Sequence, residues 1–144
     1  MNKTESANLI LKLYDLRREA TMRKGRDWFF TFAPKSADDI LTTMMDPEVG
    51  AYLRMVSSYW EMAAAMVNHE AIDAELFGDT NGEHYLVFAK IEPFLADLRE
   101  KMQAPDAFKN LEKLIMSTPE NTERLRKTQE WLNSLQEQAA SQAG

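Results

Sequence analysis

The stretch DPEVGAYLRMVSSYWEMAAAMVNHEAIDAELF, residues 46–77, constrains the fold more than any other part of the chain. Asp46, Pro47 and Glu48 spell a helix start. Asp accepts backbone N–H bonds at the N-cap, Pro fits the first helical position, and Glu complements the positive helix end. From there Val49, Leu53, Val56, Trp60, Ala63, Ala64 and Val67 recur at steps of three and four, and Tyr52, Tyr59 and Met66 widen the stripe. So wide a stripe belongs to a helix buried on more than one side, which makes residues 47–68 the expected hub for the remaining helices. Leu53, Val56, Trp60 and Val67 on this helix, with Phe88 further along, are the expected core. Ala63, Ala64 and Ala65 let a neighbouring backbone approach closely, and Trp60 carries the largest buried area.

The flanking segments read as partners for that hub. Residues 5–31 predict a first helix, capped by Thr4 or Ser6, with Leu9, Ile10, Leu13, Tyr14, Arg17, Ala20, Lys24 and Trp28 on a stripe that turns polar midway. Either Arg17 and Lys24 lay their stems over the core or the helix slips in phase near Gly25. Trp28, Phe29, Phe30 and Phe32 are expected to close one end of the core, and Pro34 ends the segment. A base-stacking platform is the alternative use of such aromatics, but no basic residues are interleaved with them. Ser36 with Asp39 resembles a capping box for a short helix through Met45.

After the hub, Asn68 is the expected C-cap and Ile72–Phe77 a turn or two of helix before Gly78. A helix over about 80–102 is expected to kink at Pro93, which deletes one hydrogen bond and crowds the preceding turn. Pro105-Asp106 and Thr118-Pro119-Glu120 open two more, the last carrying Leu125, Thr128, Leu132 and Leu135 at helical spacing. No segment requires a strand. The expectation is an all-α fold: a compact antiparallel bundle of about five main helices, one kinked at Pro93, with residues 1–135 a single domain and 136–144 a frayed tail.

A chain of 144 residues supports one self-sufficient core. The absence of cysteine excludes disulfides, thiolate metal sites and cysteine nucleophiles. Lys12 and Asp15 interrupt the N-terminal apolar residues, so the pattern is not that of a signal peptide, and no run is long enough to span a bilayer. A cytoplasmic location is expected. The net charge of −6 favours solubility and argues against a nucleic-acid binder, whose affinity comes mainly from neutralising phosphates. The charge is polarised. Lys12, Arg17, Arg18, Arg23, Lys24 and Arg26 cluster near the N-terminus, whereas no Lys or Arg falls between Arg54 and Lys90 and Glu61, Glu70, Asp73, Glu75, Asp79 and Glu83 are acidic. Pairing across adjacent helices accounts for these poles economically; the functional alternative is an anion or RNA site on Arg17, Arg18, Arg23 and Arg26.

Two histidines bound the metal and acid–base possibilities. His69 and Asp73 share a face if one helix runs through both, but HExxD places Asp where the second His of the zinc-protease pattern belongs. A mononuclear site from His69, Asp73, Glu61 and His84 is the metal hypothesis, set against a His69 that merely ends a helix. Glu83 and His84 are adjacent, so on a helix they point apart and form no ready dyad. Glu92, between Ile91 and Pro93 on an apolar face, is expected to pair with Arg17 or Arg18. There is no glycine elbow around a serine and no Gly-rich phosphate loop, so neither a catalytic residue nor a cofactor is assigned. Met44, Met45, Met55, Met62 and Met66 either fill the core or form an adaptable partner groove.

At Tyr59-Trp60-Glu61, Val67-Asn68-His69, Ile72-Asp73-Ala74-Glu75-Leu76-Phe77 and Phe88-Ala89-Lys90-Ile91-Glu92-Pro93-Phe94 the sequence resembles an uncharacterised family of small bacterial helical proteins, a domain of unknown function. The resemblance covers most of residues 8–130. It implies the helical fold and a bacterial origin, and it transfers no catalytic residue; some similar domains follow a membrane-spanning segment that this sequence lacks. The expected function is interaction or regulation, with a protein partner or a second copy held through an apolar or Met-rich surface. An enzyme or metal protein centred on His69 and Asp73, and anion binding by the Arg-rich first helix, are the alternatives.

Overall fold

A computed structural model describes residues 2–143. Every regular element among the described residues is helical: α1 (Lys3–Arg17), α2 (Ala20–Thr31), α3 (Ala37–Met44), α4 (Gly50–Asn68), α5 (Ala74–Thr80), α6 (Glu83–Ile91), a 3-10 turn (Glu92–Phe94), α7 (Leu95–Met102), α8 (Lys109–Ile115) and α9 (Pro119–Ala143). No helix among them is long and apolar enough to cross a membrane. α4 is the hub. It packs against α2, α3, α5, α6 and α8, while α9 lies on α6 and α8, α7 on α3, and α1 on α2 and α5.

Among the described residues nine α-helices stand where about five main ones are expected, because short capped segments break up what periodicity alone joins. The predicted first helix is two. Glu19 leaves helical geometry at φ −61°, ψ 143°, and its carboxylate accepts from the backbone N–H groups of Thr21 at 3.0 Å and Met22 at 2.8 Å. Those bonds, Thr21 first, hold its carboxyl below the usual carboxylate range. The polar turn of the stripe thus marks a helix boundary at Arg18–Glu19, ahead of Gly25. Gly25 instead lets α2 lie close on α4: a Cβ there would come within 2.8 Å of Met55 Cε. The N-cap of α1 is Asn2, not Thr4 or Ser6; Ser6 is buried, donates to the Ala71 carbonyl and accepts from the Asp73 N–H.

Elsewhere the caps act close to where the residue types place them. Asp46 Oδ1 accepts from Val49 and Glu48 N–H, although regular helix begins only at Gly50. Ser36 caps α3 through Asp39 N–H at 3.0 Å. The 80–102 segment divides at the 3-10 turn containing Pro93. Asn68 is the last residue of α4, His69 is its C-cap, and Glu70 adopts the left-handed φ of 63°. α8 starts four residues after Pro105, behind Phe108 at φ 60°. α9 continues through the expected fray as helix to Ala143, exposed from Gln136 to Gln142; Gly144 lies outside the described residues.

The core gathers around α4. Leu53, Val56, Trp60, Ala63, Ala64 and Val67 are buried, with Phe77, Phe88, Ile91, Leu98, Leu111, Ile115 and Leu125 closing on them. Phe29 is buried at one end; Trp28 stacks on Phe32 at 5.0 Å between centroids, while Phe30 is exposed. Trp60 is fully buried and Trp131 is 49% exposed. Trp60→Ala is therefore expected to cost about 3–5 kcal/mol in urea unfolding, and Trp131→Ala to stay within about 0.5 kcal/mol of the parent.

Candidate functional site

The densest polar arrangement surrounds Trp60. Its indole N–H donates to Glu83 Oε2 at 3.0 Å, and Arg26 Nε donates to the two oxygens of the same carboxylate at 3.1 and 3.0 Å. Arg26 also reaches the Arg17 carbonyl. The Arg17 guanidinium lies over the Tyr14 ring at 5.2 Å and the Trp60 ring at 5.5 Å. Tyr59, edge-on to Trp60, donates its hydroxyl to the Leu13 carbonyl; burial pushes that hydroxyl up to about 12, with Glu83 adding to the shift and Arg17 opposing it. One carboxylate thus joins α2, α4 and α6, and α1 is held over the same indole.

His84 sits behind this pair, 3% exposed, against the rings of Phe77, Tyr85 and Trp60. Its Nδ1 is buried without a hydrogen-bond partner. Burial, with the charge of Arg124 in second place, holds the imidazole down to about 3, so it is neutral at physiological pH. Glu83 is occupied by two donors and His84 faces aromatic rings, so neither is placed to exchange protons with a substrate.

The four residues of the metal hypothesis do not converge. Glu61 accepts from the N–H groups of Asn110 and Leu111 and caps α8, Asp73 caps α5 through Leu76 N–H, His69 is exposed at the end of α4, and His84 is in the core. Among the described residues no group of three or more His, Asp or Glu could hold a metal ion. The arginines divide as well. Arg23 and Arg26 line a surface cleft of about 250 Å³ together with Asp27 and Glu83, which match their charge; Arg17 lies over the aromatic rings, and Arg18 is exposed, 3.9 Å from Asp15.

Glu92 pairs with Arg126 of α9 rather than with Arg17 or Arg18, because the turn at Pro93 presents it to that helix. Of the methionines, Met44, Met55 and Met66 pack against the core, and Met45 and Met62 are exposed.

One functional group escaped sequence inspection. Lys90 of α6 is only 8% exposed and its Nζ donates to the carbonyls of Phe29 at 2.7 Å and Phe30 at 2.8 Å, in the last turn of α2. Burial brings the ammonium down to about 8, while the carbonyls and the negative end of α2 favour its charged form. Its place between Ala89 and Ile91 on an all-apolar turn was the available signal.

A family model described as Domain of unknown function (DUF4760) matches residues 4–118, which take in α1 to α8. Comparison with curated proteins and with solved structures finds no significant match.

His84 makes stability depend on acid. Its pKa is depressed in the folded state, so the unfolded chain binds the extra proton and stability falls as pH drops below about 6.5, the unfolded value, towards 3. Urea unfolding at pH 6.5 and pH 5 is expected to show a loss of about 2 kcal/mol from this group in the parent, and none of that loss in His84→Leu.

Proposed function

The chain belongs to the DUF4760 family, a domain of unknown function, and with no activity to inherit from it we propose that the protein is a cytoplasmic interaction module that self-associates through α1. The observation that supports this is the distribution of apolar residues on α1. Ile10 and Leu13 face the core, yet Leu11 is 62% exposed and Tyr14 and Leu16 are each 50% exposed. Large apolar side chains therefore stand on both flanks of the buried stripe. Large apolar side chains left on the open side of a helix are suited to being covered by a partner, and here the fold covers α1 from α2, α4 and α5 and leaves these three side chains at least half exposed.

A second copy suits this helix because on one flank Leu11 and Tyr14 lie one turn apart with Arg18 one turn further, a short continuous row, while Leu16 stands on the other flank. Symmetric contacts of this kind are the commonest route to a dimer. Of the exposed methionines, Met45 follows α3 and Met62 lies on α4, so the apolar surface of α1 rather than a methionine groove carries the proposal.

Sedimentation velocity tests it. The parent is expected to dimerise, and Leu11→Glu with Leu16→Glu to shift the equilibrium to monomer while thermal stability of the protomer changes by no more than about 0.5 kcal/mol, as for exposed substitutions generally. A parent that remains monomeric at high concentration, or a double variant that dimerises as well as the parent, contradicts self-association through α1.

A further inference from the structure

Lys90 presents a charge balance that the fold leaves incomplete. A buried cation is ordinarily paired with a carboxylate, because carbonyl dipoles alone offset its desolvation poorly. Among the described residues Lys90 is in no ion pair, and its two partners are both backbone carbonyls. An ammonium has three N–H donors, so one remains after Phe29 and Phe30 are served.

The same side chain lines a cleft of about 190 Å³ between the segment after α2, the turn at Pro93 and α9. Pro34, Phe94 and Leu132 give it an apolar wall. Gln129 has committed both amide hydrogens to the Ala89 carbonyl and Glu92, and Glu92 is itself neutralised by Arg126. Asn133, one turn along α9, also lines the cleft and makes no side-chain hydrogen bond among the described residues, so its amide donors are uncommitted.

We propose that this cleft binds a small aliphatic carboxylate, with Lys90 Nζ and the Asn133 amide taking the carboxylate and Pro34, Phe94 and Leu132 covering the hydrocarbon end. The single cation and the apolar wall select a monoanion with a nonpolar tail over phosphate, which needs more donors than the cleft supplies. The ammonium of Lys90, lowered by burial but still protonated at neutral pH, is in the state such an anion requires.

Butyrate, with six heavy atoms, is the probe. It is titrated into the full chain while NMR follows the Asn133 side-chain amide and the Leu132 methyls. Saturable shifts at both are expected, with neutral butyramide weaker by about tenfold or more, the worth of one charge-assisted hydrogen bond. Lys90→Met removes the ammonium, and Ala33→Trp fills the cleft from an exposed lining position without altering Lys90. Each is expected to weaken butyrate binding by about tenfold or more, and Ala33→Trp keeps the test available if Lys90→Met fails to fold. No saturable shift with butyrate, equal binding of butyramide, equal binding of inorganic phosphate, or unchanged binding in Ala33→Trp would each overturn the proposal.

Discussion

The buried indole of Trp60 dictates much of the arrangement around it. Its N–H is removed from water and needs an acceptor, and Glu83 supplies one at 3.0 Å. A partly buried carboxylate in turn needs a cation, which Arg26 supplies through two contacts. Each requirement fixes a helix. The hub α4 carries the indole, α6 the carboxylate and α2 the guanidinium, while Arg17 brings α1 over the outer face of the same ring. Apolar packing would tolerate small shifts among these helices; the three-way hydrogen bonding does not.

Many of the residues that look like chemistry are spent in the same way. Glu19 caps α2, Glu61 caps α8, Asp73 caps α5, and Arg99 bonds both the Ala107 carbonyl and Glu112. Short helices expose a high proportion of unpaired N–H and C=O groups, so a fold built of many short helices must find many partners for them. What remains uncommitted is correspondingly informative. The outer side of α1 leaves Leu11, Tyr14 and Leu16 at least half exposed, and Lys90, whose ammonium is bonded to two backbone carbonyls, lines a cleft. Those two features, rather than the histidines, carry the functional proposals.

The hub was legible because its signal is repeated: Leu53, Val56, Trp60, Ala63, Ala64 and Val67 all carry the same periodicity, and all are buried. Caps written in ordinary residue types, such as Ser36 and the Thr118-Pro119 pair, were legible too. The break at Glu19 was not, since glutamate is a poor N-cap by residue type and acts here by bending its longer side chain back to Thr21 and Met22. The start of α8 depends on Glu61, far away in sequence, and the partner of Glu92 depends on how α9 returns over α6. Lys90 was hidden for a related reason. Its partners are backbone carbonyls, which no residue pattern announces.

The central structural claim is that Trp60 and Glu83 act as a unit, and a double-mutant cycle measures this directly. Trp60→Phe, Glu83→Ala and the double variant are compared with the parent by urea unfolding. A coupling of about 1–2 kcal/mol between the two positions is predicted, because Glu83→Ala leaves the buried indole N–H unsatisfied only while Trp60 is present. Costs that add to within about 0.3 kcal/mol would contradict it, leaving Trp60 as packing alone and Glu83 as an ordinary surface partner of Arg26.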